Sequence, residues 1–242
     1  MIGAVGRVIF APAHAQWDLK IYLSCSRVLN QGQNPYIKDQ CIDGVNFPCL
    51  YPPLIIDIYR PFAAVADAAG PYASQHLWAA LKVLAVLALL LIWRRWFFSS
   101  PFDAWQWLFI ALAYGSPLFV DFRTGNISTF EQLALWGGFA ALVSGKDLVF
   151  GLCVALAAQT KFTPLAFLPL LLVRRNPRWG VFAVALAAFA GFFYLNELLH
   201  PGLLAGYFRQ LSSPAQAWHY ERGPNNCSVL GRDAFTARAR AD

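Results

Sequence analysis

A few polar side chains stand at the margins of long apolar stretches in this chain, and their types set the chemistry it could do. They are Asp18 and Lys20, then Asp121, Arg123 and Asn126, then Lys161, and last Asn225, Asn226 and Ser228. A carboxylate at position 18 can take a proton from a hydroxyl. Its structural alternative is an interfacial acid capping a helix that starts at Leu19, and residue type alone does not separate the two. A lysine within an apolar stretch costs roughly 2.5–3.5 kcal/mol on insertion scales, so Lys161 needs a cavity or a partner. An anionic ligand and an ion pair with Asp121 are the two partners the sequence offers.

The elements that must hold these groups belong to a membrane protein. Of 242 residues 58% are hydrophobic and only 13% charged, against about 25% charged in soluble domains. Aromatic residues make up 16%, with nine Trp, which suits interfacial belts. The net charge is +6, but the cations sit in short clusters between apolar spans. That pattern argues for membrane topology rather than the basic face of a nucleic-acid binder. The four His have no metal-ligand spacing, and neither a metal nor a cofactor is expected.

The reading is all-α: one polytopic helical membrane domain over 1–231, with an atypical polar tail at 232–242. Residues 1–16 are too short to span. They read as the tail of a first membrane helix whose start is missing, with a signal peptide ending near Ala13-His14-Ala15 as the alternative. A polar, aromatic loop follows over 17–53, then an interfacial helix over 54–70 that puts Asp57 and Asp67 on a solvated face. Together 17–76 form the outer region. Spans are expected near 77–93, 104–122, 127–143, 148–173 and 181–199, with Lys82 snorkelling from the first of them. The 148–173 stretch is too short for two crossings at about 20 residues each, and parity requires it to begin and end on the same side. Two half-length helices meeting at Lys161 satisfy this, and irregular backbone at that depth must be buried or line a cavity.

Arg94/Arg95, Lys146 and Arg174/Arg175/Arg178 mark the cytoplasmic side. Span parity then puts 17–76, 121–126 and 200–242 outside, and the first loop, with five Asp against four Lys/Arg over 17–70, agrees because it lacks a positive bias. Cysteines persist as disulfides there. A Cys41–Cys49 bridge is expected, with a Cys25–Cys227 pairing as the alternative, and Cys153 reads as core. Gly145-Lys146-Asp147 fails as a phosphate loop, since the glycine spacing is wrong and Asp147 replaces the hydroxyl residue.

Six short blocks in order are similar to glycosyltransferase family 87, bacterial enzymes of the GT-C class that use polyprenyl-phosphate mannose. Asp18-Leu19-Lys20-Ile21-Tyr22, Gly32-Gln33-Asn34-Pro35-Tyr36 and Tyr51-Pro52-Pro53-Leu54 resemble the family's first outer loop. Gly125-Asn126-Ile127-Ser128 resembles its turn before a leucine-rich helix, although Gln and Asn are usual where Asn126 and Ser128 stand. Lys161-Phe162-Thr163-Pro164-Leu165 resembles its Lys-x-x-Pro helix, and Asn225-Asn226-Cys227-Ser228 its Asn-Gln-Ser block, with Asn226-Cys227 in place of Asn-Gln. The resemblance covers roughly 17–231; the tail after Gly231 departs from it, and the chain reads as a fragment.

The resemblance implies an inverting mannosyltransferase of the bacterial inner membrane, with its active site facing outside. The donor is a polyprenyl-phosphate sugar and the acceptor a hydroxyl of a glycolipid or glycan. Asp18 becomes the general base. Lys20, Tyr22, Asn34, Tyr36, Tyr51, Asp121, Arg123, Asn126, Lys161 and Asn226 become substrate contacts, with Lys161 or Arg123 on the leaving phosphate and tyrosines stacked on sugar faces. A reading from a different class is a transporter or flippase-like protein with a midplane site at the broken helix around Lys161.

Overall fold

A computed structural model describes residues 16–37, 49–98, 103, 105–106, 118–173 and 175–212. The described residues are helical and contain no strand. Helix α1 is Trp17–Asn30, α2 Pro53–Asp57, α3 Arg60–Ala69 and α4 Pro71–Trp96. After a helical stretch at 118–124 come α5 Ser128–Val143, α6 Asp147–Ala157, a 3-10 helix Thr163–Leu171, α7 Trp179–Leu199 and α8 Leu203–Leu211.

Prolines set many of these boundaries. Pro53, Pro61, Pro71 and Pro164 each stand in the first two positions of a helix, where the missing N–H is no loss. Pro169 lies inside the 3-10 helix. That segment is the descending half of the 148–173 stretch. Its ascending half is α6, and residues 158–162 join the two.

α4 and α7 are long and apolar enough to cross a membrane. Both carry large apolar side chains outward. Leu84, Leu87 and Leu91 of α4 and Tyr194, Leu195, Leu198 and Leu199 of α7 are exposed, and α7 buries only Ala185 and Asn196. A helix apolar on its outer side suits hydrocarbon rather than water. Small residues let α5, α6 and α7 approach closely. A Cβ at Gly138 would lie 3.0 Å from the Cβ of Cys153, and one at Gly151 3.0 Å from that of Ala185.

Contacts at the helix ends fix the topology. Trp78 of α4 packs on Phe130 of α5, while Trp93 packs on Trp136 and Trp96 donates to the Ser144 hydroxyl, 2.9 Å. The two helices therefore run in the same direction. Arg178 pairs with Asp147 at 2.9 Å, so α6 starts and α7 starts at one end, the end where α4 finishes with Arg94 and Arg95. At the other end Asn196 Oδ1 accepts from the Leu54 N–H, 2.8 Å, and His200 meets Asp57, 2.7 Å. The basic groups Arg94, Arg95, Lys146 and Arg178 thus gather at one end. Residues 16–18, 121–128 and 161 gather at the opposite one.

Several expectations need correction. Residues 17–30 are helix, not loop. Residues 53–69 bury one face, where Ile55, Tyr59, Phe62 and Ala63 join Leu19, Tyr22, Trp78 and Ile127 in one cluster, and leave Ile58, Arg60, Ala64 and Asp67 exposed on the other. Asp57 is half-buried, its carboxylate held by Arg60 and His200. Asp67 does lie on a solvated face as expected, its side chain 59% exposed while it pairs with Arg27 at 2.6 Å. Cys49 bonds Cys25 rather than Cys41, with Cα atoms 6.1 Å apart. Helix α1 carries Cys25 past the 34–36 turn, where the Cys49 N–H donates to the Pro35 carbonyl, so the two sulfurs meet inside a buried apolar cluster. Cys41 and Cys227 lie outside the described residues, as do the expected span 104–122 for most of its length and the 213–242 tail.

Candidate functional site

Asp18 occupies the first turn of α1, where an acid is favoured by the helix dipole. It is not a cap: no side chain caps this helix, and the preceding Gln16 takes a left-handed backbone at φ 65. Gln16 is pinned from two sides. Its N–H donates to the Arg123 carbonyl at 2.6 Å, and its side-chain amide donates to the Gln75 carbonyl at 3.3 Å.

The turn after the 118–124 helix meets Asp18 directly. The Asn126 amide donates to Asp18 Oδ2 at 2.7 Å. Asn126 Oδ1 then accepts from the Ser128 N–H at 3.1 Å and the Ser128 hydroxyl at 2.9 Å. The Ser128 hydroxyl in turn accepts from Lys161 Nζ at 2.6 Å. Lys161 also lies 3.6 Å from Glu131 Oε2, which accepts from the Thr160 hydroxyl at 3.4 Å. One polar chain therefore runs from a carboxylate to a cation across three separate segments. The directions along it are consistent, since the Ser128 hydroxyl both accepts and donates.

Burial pushes the Asp18 carboxyl above the ordinary carboxylate range. Hydrogen bonds from Asn126 and Thr124 and the charge of Lys82 oppose that rise, and Asp121 adds to it. Desolvation disfavours the charged form while donors and cations favour it. The balance leaves a carboxylate more basic than one in water.

Gly125 lets the turn come this close. It holds φ +74, and a Cβ there would stand 2.9 Å from both the Gln16 and Leu19 Cβ atoms. Its carbonyl accepts from the Trp78 indole at 2.8 Å. One helical turn further along α4, Lys82 is fully buried and donates to the Asp121 carbonyl at 2.6 Å while pairing with Asp121 Oδ2 at 2.7 Å. The Thr129 hydroxyl donates to the same Oδ2. Lys82 does not snorkel, and Asp121 pairs with Lys82 rather than with Lys161.

The remaining predicted residues divide. Lys161 is 43% exposed on its side chain and lies beside the first residue of α5, near an end of the bundle rather than its middle. Arg123 is exposed, with its carbonyl engaged by Gln16. Lys20 is half-buried on the turn of α1 that carries Asp18. Tyr51 is half-buried. Tyr22 and Tyr36 are core residues, 5% exposed each; Tyr22 shares a hydroxyl contact of 3.1 Å with Tyr51, and Tyr36 donates to the Tyr51 carbonyl at 2.7 Å. Their rings are enclosed and offer no face to a sugar. Asn34 Oδ1 accepts from the Tyr36 N–H at 2.9 Å and closes a local turn. Asn226 lies outside the described residues.

Glu131 and Lys82 were missed as site residues. Each is a lone charge within an otherwise apolar span, and that was the signal available.

The family model of glycosyltransferase family 87 matches residues 50–241. The match contains Asp121, Arg123, Asn126, Ser128, Glu131 and Lys161, begins after the Asp18 segment, and continues through the polar tail at which the sequence resemblance stops. No curated protein and no solved structure matches. With most of its length matched, the chain belongs to glycosyltransferase family 87 and is a glycosyltransferase.

Proposed function

We propose that this glycosyltransferase moves mannose from a polyprenyl-phosphate donor to an acceptor hydroxyl at the outer face of the bacterial inner membrane, with inversion. The observation that carries the reading is the polar chain Asp18–Asn126–Ser128–Lys161. It joins a candidate base to a candidate phosphate ligand at the end of the bundle away from Arg94, Arg95 and Arg178.

In the proposed step the acceptor oxygen attacks the anomeric carbon as its proton passes to Asp18. The bond from that carbon to the phosphate oxygen breaks, and the lipid phosphate leaves with the electron pair. A single displacement inverts the anomeric centre. A base raised above the ordinary carboxylate range suits this work, and a positioned base contributes roughly 10²–10⁴-fold. Lys161 and Arg123 carry exposed positive charge for the leaving phosphate, where a fixed cation stabilises developing charge. Tyr51 and Trp17, which is 43% exposed, are the aromatic faces left for a sugar.

Two features support the outer location. The basic clusters lie at the opposite end, as the positive-inside rule requires. The Cys25–Cys49 bond lies on the site's side, and disulfides persist in oxidising compartments. The test is radiolabelled sugar transfer in membranes, comparing polyprenyl-phosphate mannose with a soluble nucleotide sugar. Transfer from the lipid donor alone, to a product of inverted configuration, is the expected result. Transfer from the nucleotide sugar alone, or retention, contradicts the reading.

A further inference from the structure

We infer that Lys82 and Asp121 form a buried clamp that positions the catalytic base of the reaction, holding the 121–126 turn so that Asn126 meets Asp18. The inference rests on the reading of Asp18 as the base. It assigns Asp121 a positioning role and removes it from substrate contact.

The geometry gives the clamp three fixed points on α4 and α5. Lys82 Nζ holds both the carbonyl and the carboxylate of Asp121, at 2.6 and 2.7 Å. The Thr129 hydroxyl holds the same carboxylate oxygen. Trp78 Nε1 holds the Gly125 carbonyl at 2.8 Å. The turn itself is closed by the Gly125 and Asn126 N–H groups, which both donate to the Asp121 carbonyl at 3.0 and 3.1 Å. That carbonyl therefore receives the lysine and both turn amides, so the place of Asn126 is set directly from Lys82. On its far side the turn rests on Gln16 and Leu19, the neighbours of Asp18.

Lys82 is 0% exposed and Asp121 9% exposed, so no substrate reaches either charge. A buried lysine in an apolar helix is costly without a reason to be there, and a hydrophobic pair would fill the same space. An ion pair adds what an apolar pair lacks: direction. It fixes one backbone carbonyl, and through it one amide.

The charge also acts on Asp18. The charged and titratable groups that face it are Lys82 from α4, Asp121 from the 118–124 helix, Tyr22 on α1 and Tyr59 ahead of α3. Lys82 favours the ionised form, and Asp121 opposes it.

The experiment uses the full chain in membranes and two readouts. The first is transfer from polyprenyl-phosphate mannose across pH, for the wild type, Lys82→Met, and Lys82→Met with Asp121→Asn. Lys82→Met lowers kcat about 100-fold, the cost of a displacement near 1 Å, leaves the donor KM within about threefold since no substrate contact is lost, and moves the acid limb to higher pH. The double variant removes both opposing charges. Its acid limb returns toward the wild type while kcat stays low. A residue that only stabilises the fold would leave the limb in place.

The second readout does not depend on turnover. Asp18→Cys with Asn126→Cys is oxidised, and the cross-link is identified by peptide mapping, with and without the paired Lys82 and Asp121 substitutions. A fast cross-link that becomes slow without the clamp supports the inference. Wild-type kcat and pH limb in Lys82→Met, or an undiminished cross-link, overturns it. If Lys82→Met does not accumulate, the neutral double variant and the cross-link decide. Absent transfer by the wild type overturns the functional reading instead, and the cross-link then judges the clamp alone.

Discussion

Asn126 donates to Asp18 over 2.7 Å although the two residues lie 108 positions apart. The contact joins the first turn of α1 to the turn before α5, and it uses only one carboxylate oxygen. If Asp18 is the base, Asn126 tunes it. Its hydrogen bond favours the ionised form and so holds the carboxyl lower than burial alone would. Asn126→Ala removes that donor, and the acid limb of the pH–rate profile moves to higher pH. Hydrogen bonds to charged groups contribute about 1.5–3 kcal/mol, so kcat/KM falls roughly 10- to 100-fold. A profile unchanged in position would detach Asn126 from the base.

Stability and activity should part at Asp18. Its folded-state pKa is raised by burial. An acid shifted upward contributes stability at low pH and loses it as pH rises through the folded value. Above the ordinary carboxylate range the burial of Asp18 therefore weakens the fold. Asp18→Asn should melt no lower than the wild type at pH 7 in detergent, and the gap should close on acidification toward pH 4. A residue kept for structure would show the opposite sign.

Gly125 and Gly145 make a controlled pair. Both hold φ +74, yet a Cβ meets close neighbours only at Gly125. Backbone strain of this kind costs on the order of 1–3 kcal/mol. Gly145→Ala should lower stability by that amount and leave transfer intact. Gly125→Ala should cost more and also reduce transfer, because the turn must move off Gln16 and Leu19. Melting curves and initial rates on both variants give the comparison.

The disulfide makes a prediction about chain chemistry. Cys25 and Cys49 close a loop with a separation of 24 residues, for which cross-linking stabilises by about 3 kcal/mol. Cys49→Ser should show that loss, and non-reducing peptide maps should pair residues 25 and 49. Cys41→Ser should leave the map and the melting temperature unchanged.

Much of this architecture was legible in the sequence. Apolar runs closed by Arg94-Arg95 and by Arg178 announce helices, and Thr163-Pro164 after Lys161 announces a break. The ends that gather Asp18, Asn126 and Lys161 follow from counting crossings. What stayed hidden depends on which way a helix faces. An apolar helix such as α4 gives no periodic sign of its inner side, so Lys82 looked like a snorkelling residue when it points inward to Asp121. Tyr22 and Tyr36 looked exposed because their segment is polar, but α1 turns Tyr22 into the core and the Asn34 turn does the same for Tyr36. The Cys25–Cys49 bond depends on where α1 passes the 34–36 turn, which no spacing reveals. Lys161 finds Glu131 and Ser128 rather than Asp121 for the same reason: α5 brings a nearer acid.

The account rests most heavily on Asp18 as the base, and one comparison tests that directly. Wild type and Asp18→Asn, at equal levels in membranes, are given polyprenyl-phosphate mannose and acceptor, and both donor binding and mannosyl transfer are measured. The account predicts donor binding retained and transfer reduced by about 10²–10⁴-fold. Transfer that survives at the wild-type rate in Asp18→Asn contradicts it.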